Sequence, residues 1–63
     1  MARYKVLYKN YRGEVQVRDI ELIKYYRGYS HFYGTQELEL MYVWDYDKED
    51  FRDFAVKNIL EWL

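Results

Sequence analysis

The sequence predicts a small, mainly β domain ending in a helical segment, and three observations carry that prediction. Polar and apolar residues alternate with a period of two over residues 3–9, 14–20 and 37–47. Turn-forming residues separate these runs, at Asn10–Gly13 and between Gly28 and Gly34. Residues 48–63 then change to helical spacing.

The first run, Arg3–Lys9, sets Tyr4, Val6 and Tyr8 on one face and Lys5 and Lys9 on the other, as a half-buried strand requires. Asn10-Tyr-Arg-Gly13 is a turn whose glycine takes a positive φ at low cost, and Glu14–Ile20 resumes the alternation, so the two strands form a hairpin. Ile20, Leu22 and Ile23 extend the apolar pattern towards Tyr26 as a bent continuation of the second strand. Tyr29–Tyr33, bracketed by Gly28 and Gly34, reads as a loop. Glu37–Asp47 is the clearest strand: Leu38, Leu40, Tyr42, Trp44 and Tyr46 share one face. Met41 and Val43 make the other face apolar too, which places this strand inside the sheet.

The C-terminal segment admits two readings. Asp45 or Asp47 can cap a helix, Glu49 and Asp50 suit its first turn, and Phe51, Phe54, Ala55, Ile59, Trp62 and Leu63 fall at helical intervals. Periodicity alone therefore makes residues 48–63 one amphipathic helix.

With 63 residues the chain has room for one core, and a chain of this size buries only about 60% of the surface its unfolded form exposes. It contains no cysteine, which removes disulfides and thiolate metal sites and leaves a partner subunit, including a second copy in a homodimer, as the natural source of added stability. No apolar run approaches the roughly 20 residues of a membrane-spanning helix, and the N-terminus lacks the apolar stretch of a signal peptide. The expectation is a cytoplasmic protein without membrane contact.

The residues that enzymes use are sparse. The only histidine, His31, adjoins the only serine, Ser30, and neighbouring side chains do not converge as a nucleophile and its base. Asp45, Asp47, Glu49 and Asp50 superficially resemble a calcium loop but lack its glycine at the sixth position. The glycines at 13, 28 and 34 are isolated and form no phosphate loop. The expectation is a non-enzymatic protein with no metal site and no cofactor.

Binding residues are plentiful. There are nine tyrosines, and Tyr11-Arg12-Gly13 and Tyr25-Tyr26-Arg27-Gly28-Tyr29 interleave rings with guanidinium groups. Bases stack on such rings, each contributing about 1–3 kcal/mol, while arginine attracts phosphate. The same residue types anchor protein interfaces. Charge is unevenly spread: residues 1–36 carry seven Lys/Arg against three Asp/Glu, and residues 37–63 carry three against eight. That division suits a domain with one basic and one acidic side.

Four stretches resemble WYL-type domains: Arg52-Asp-Phe-Ala-Val-Lys-Asn-Ile59, Arg18-Asp-Ile20, Tyr8-Lys-Asn-Tyr-Arg-Gly-Glu14, and His31 followed by Leu40-Met-Tyr-Val-Trp-Asp45. Together they extend over nearly the whole of residues 1–63. The resemblance implies a small SH3- or Sm-like β-barrel, with residues near 50–55 as a strand and only about 55–62 as a short α-helix. It also implies a stand-alone regulatory module of prokaryotic or phage type whose basic residues face a ligand, with Arg18 and Arg52 carried over from the family's pattern.

Two functions follow as expectations. In the first, the domain binds a negatively charged ligand, a nucleic-acid segment or nucleotide, through Arg18, Arg52, Tyr26, Arg27, Tyr11, Arg12 and His31. In the second, it is a small phage-encoded inhibitor that docks on a host or defence protein through its tyrosines, with Asp47, Glu49 and Asp50 mimicking phosphate.

Overall fold

The computed structural model describes residues 2–30, 34 and 36–63. Five strands, β1 (Ala2–Lys9), β2 (Val15–Gly28), β3 (Leu38–Asp45), β4 (Asp50–Ala55) and β5 (Ile59–Trp62), form one antiparallel sheet in the order β4-β3-β2-β1-β5. The anticipated hairpin is present, with Tyr4 opposite Ile20 and Val6 opposite Arg18. β3 lies inside the sheet between β2 and β4.

Two expectations need correction. The C-terminal α-helix is absent: a single 3-10 turn, Val56–Asn58, separates β4 from β5. The strand expected at 50–55 is present, but residues 59–62 pair with β1 instead of coiling. The physical reason is that β1 and β3 each offer an unpaired edge, and pairing with them satisfies the backbone of the C-terminal segment while its apolar residues enter the core. The sheet also fails to close into a barrel, because β4 and β5 occupy its two edges without pairing to each other.

The chain nevertheless passes from one edge of the sheet to the other through only three residues, so the sheet must curl strongly. Its inner face holds the core: Val6, Tyr8, Ile20, Met41, Val43 and Phe54, with Leu22, Val56 and Ile59 packed against them. The rings of Tyr8 and Phe54 stack at 4.0 Å between centroids, joining β1 to β4 across the curl. On the outer face the Phe51 ring contacts both Tyr42 and Trp44. Among the described residues no helix is long and apolar enough to cross a membrane.

Side chains blunt the β4 edge. The Phe51 N–H donates to Asp50 Oδ1 at 2.8 Å, and the buried Ala55 N–H donates to the Tyr8 hydroxyl oxygen at 3.0 Å. Both amides are thereby withheld from strand addition, the hazard of an open edge. The Tyr8 contact also satisfies a backbone group that has lost access to water. Replacing Tyr8 with Phe is expected to leave that amide unpaired and lower unfolding stability by about 1–3 kcal/mol. Urea denaturation of Tyr8→Phe checks this, and an unchanged midpoint would contradict it.

Candidate functional site

A cleft of about 480 Å³ opens between the β1–β2 hairpin and the β3–β4 corner. Its size falls within the range of about 300–1,000 Å³ typical of small-molecule sites. The stacked Tyr8 and Phe54 line its base, Tyr11, Arg12, Glu14, Gln16 and Arg18 come from the hairpin, and Lys48, Arg52 and Asp53 stand opposite.

Local sequence builds the hairpin wall. Asn10 Oδ1 accepts from the N–H groups of Arg12 (2.9 Å) and Glu14 (3.0 Å), while Asn10 Nδ2 donates to Glu14 Oε1 at 3.0 Å. The Asn10 carbonyl accepts from the Gly13 N–H, and Gly13 sits at φ 84°, where a side chain would be strained. This knot holds the tip rigid and projects Tyr11 and Arg12 outward. Arg12 lies over the Tyr11 ring, 5.5 Å from its centroid, with Nε donating to the tyrosine oxygen at 3.2 Å. The ring is half exposed, so a flat partner has room to stack on it.

Asp45 builds the opposite corner. Its Oδ1 accepts from the Asp47 N–H (2.9 Å) and the Lys48 N–H (3.2 Å), folding the turn over residues 46–49. Its Oδ2 accepts from Arg18 Nη1 at 3.2 Å. Asp47 Oδ2 in turn accepts from the Asp19 N–H at 3.2 Å, tying the turn to β2. Asp45 is 1% exposed and the Arg18 side chain 13%, so this is a buried ion pair. Arg18 Nε is also buried and has no acceptor among the described residues. Arg18 is therefore chiefly a structural cation at the base of the cleft.

Lys48, Arg12 and Arg52 are different. All three are exposed; Lys48 and Arg12 have no ion pair among the described residues, and Arg52 reaches Asp50 only at 3.9 Å with both side chains about half exposed. A pair of that geometry contributes little, which leaves the guanidinium available.

Of the residues expected at a ligand face, the structure brings Arg18, Arg52, Tyr11 and Arg12 together. Tyr26 and Arg27 do not line this cleft. A β-bulge between Leu22 and Lys24 inserts one residue into β2, so the even-numbered positions cross to the outer face beyond it. Tyr26 therefore pairs with Leu40, on the face opposite Met41 and Val43, and its hydroxyl donates to Asp53. Arg27 lies at the far end of β2 and pairs with Glu37 at 3.0 Å. His31 lies outside the described residues. Asp47, Glu49 and Asp50 share the β3–β4 corner, but Asp47 and Asp50 each hold a backbone N–H, and Glu49 occupies a left-handed conformation at φ 52°.

Sequence reasoning missed Lys48, the one cation within the acidic run from Asp45 to Asp50, a local signal that could have marked it. The pairing of Arg18 with Asp45, 27 positions away on the neighbouring strand, leaves no local mark in the sequence. Among the described residues no three His, Asp or Glu side chains group as metal ligands. Compared with known proteins, the chain matches no family model, no curated protein and no solved structure.

Two outcomes follow from this geometry. Arg18→Ala leaves the Asp45 carboxylate buried without its countercharge and is expected to lower unfolding stability by about 3 kcal/mol. Chemical denaturation measures this, and a loss well below 1 kcal/mol would contradict the structural role. The second concerns Tyr26, whose phenol is pushed up to about 12 by burial first and by the hydrogen bond to the Asp53 carboxylate second. Because the folded state holds the proton more tightly than the unfolded state, the stabilisation is complete below an ordinary tyrosine value of about 10 and is lost as pH rises towards 12. A spectrophotometric alkaline titration should show one phenol titrating near 12 that disappears in Tyr26→Phe.

Proposed function

We propose that this domain is a small, non-enzymatic, WYL-like binding module that takes a negatively charged ligand of the nucleic-acid class into the cleft. The observation that carries the reading is the convergence of Arg12, Lys48 and Arg52, from three separate parts of the chain, on one concave surface beside the half-exposed Tyr11 ring. Phosphate oxygens suit the cations and a base suits the ring. Arg18 and Arg52, the residues carried over from the WYL resemblance, both line this cleft, which supports keeping that relationship within the proposal.

A second reading, docking on another protein, draws on the opposite face. There Phe51, 49% exposed, contacts Tyr42 and Trp44 in a ring cluster of the kind that anchors protein interfaces. The acidic corner supports it less, since Asp47 and Asp50 are engaged with backbone amides.

The test is an anisotropy titration of labelled single-stranded DNA and RNA at low and moderate salt. Salt-sensitive binding is expected, weakened about tenfold by Arg12→Ala or Arg52→Ala, as the loss of one charge-assisted contact implies. Both residues are exposed, so neither change should alter the denaturation midpoint. Failure to bind at low salt, or binding unaffected by both substitutions, overturns the cleft reading.

A further inference from the structure

We infer that the cleft recognises a terminal phosphate monoester, on a free nucleotide or at the end of a strand, and not the interior of a nucleic-acid chain. This rests on the ligand class proposed above and follows from where the unpaired charges lie.

Inside the cleft, Arg18 is consumed by Asp45, so three cations, Arg12, Lys48 and Arg52, remain to meet a ligand. One further carboxylate, Glu14, lines the cleft from the hairpin side, where it accepts from Asn10 Nδ2 and forms no ion pair among the described residues. Asp53 borders the cleft but shares the outer face with Tyr42, where its carboxylate accepts from the Tyr26 hydroxyl. Beyond Lys48 lie Asp47, Glu49 and Asp50. A strand running through the cleft would carry one phosphate per nucleotide past these acids, and its neighbouring phosphates would meet negative charge.

Among the described residues, the cations outside the cleft do not line it: Lys57 sits exposed on the 3-10 turn between β4 and β5, and the rest are paired or turned away. Arg3 is held by Asp19 through two hydrogen bonds of 2.9 and 3.0 Å, and Arg27 is paired with Glu37. The pairing register places Lys5, Lys9 and Lys24 on the outer face, away from the cleft. Strand-binding proteins use the reverse arrangement, a continuous positive groove.

One compact dianion fits this distribution. A phosphate monoester carries a charge of about −1.5 to −2 at neutral pH and three strong acceptor oxygens. Its charge suits a cleft lined by three exposed cations better than an internal diester with one charge does. Tyr11, at the cleft's rim with Arg12 already over its ring, supplies the surface for the attached base.

The experiment compares four probes at moderate salt: a labelled oligothymidylate with a 5′-phosphate, the same chain with a 5′-hydroxyl, AMP and adenosine. The phosphorylated chain is expected to bind about tenfold more tightly than the hydroxyl chain, with no gain on lengthening. AMP should compete for the site and adenosine should not. Affinity should fall as pH drops through about 6, where the monoester loses its second charge. Lys48→Ala and Arg52→Ala should each abolish the preference for the phosphorylated end while leaving the fold intact by circular dichroism. If both chains bind equally and affinity grows with length, the terminal-phosphate inference fails while the anionic-ligand reading survives. If none of the probes binds even at low salt, both fail.

Discussion

The buried contact between Asp45 and Arg18 is the constraint on which the rest of this small structure depends. Asp45 stands at the end of β3, opposite Ile20, where the chain turns from this interior strand to the short edge strand β4. Its two oxygens perform different tasks: one folds the turn over residues 46–49 by taking two backbone amides, and the other holds the guanidinium of β2. A carboxylate removed from water needs both kinds of partner, because desolvation outweighs any single contact. The same residue thereby positions Lys48 at the mouth of the cleft and Arg18 at its base.

Around that anchor, the fold resolves the scarcity of core that a 63-residue chain faces. Curling one sheet lets a single face supply the whole inner core and brings Tyr8 of β1 against Phe54 of β4. The curl leaves two edges unjoined, and β4 protects its own by bonding amides to Asp50 and Tyr8. The ring cluster of Tyr42, Trp44 and Phe51 covers part of the outer face with contacts among side chains instead of a second layer. A network of Arg3, Asp19, Glu21 and Tyr46 adds to that face: Arg3 lies 3.9 Å over the Tyr46 ring, whose hydroxyl donates to Glu21. The Asp19 carboxyl is held below its ordinary value by its hydrogen bond to Arg3, so this link is present at neutral pH and is lost as acid protonates it.

Much of the candidate site was legible from single segments. The Asn10–Gly13 turn announced an exposed Tyr11 and Arg12, and the resemblance to WYL-type domains marked Arg18 and Arg52. Tyr26 was chosen for the interleaving of rings and guanidinium groups over residues 25–29, a composition that names no face, and one inserted residue near Ile23 carries its position to the outer face. The helical spacing of residues 48–63 misled for a related reason. Phe54 and Ile59 both pack into the core, but from strands on opposite edges of the sheet with a 3-10 turn between them, so their spacing arises from strand placement and not from a helix.

By itself the sequence determined the β-rich character of the chain, the first hairpin with its turn, and the inner face of β1, because these depend on residues within a few positions of one another. The tertiary structure decided the sheet order, the fate of the C-terminus, and which cations remain unpaired. Arg18 meets Asp45 across 27 positions, and Arg12 faces Arg52 only because the sheet curls. Contacts of that separation are selected by strand register and by competition for unpaired backbone, and a local pattern of side chains carries no record of either.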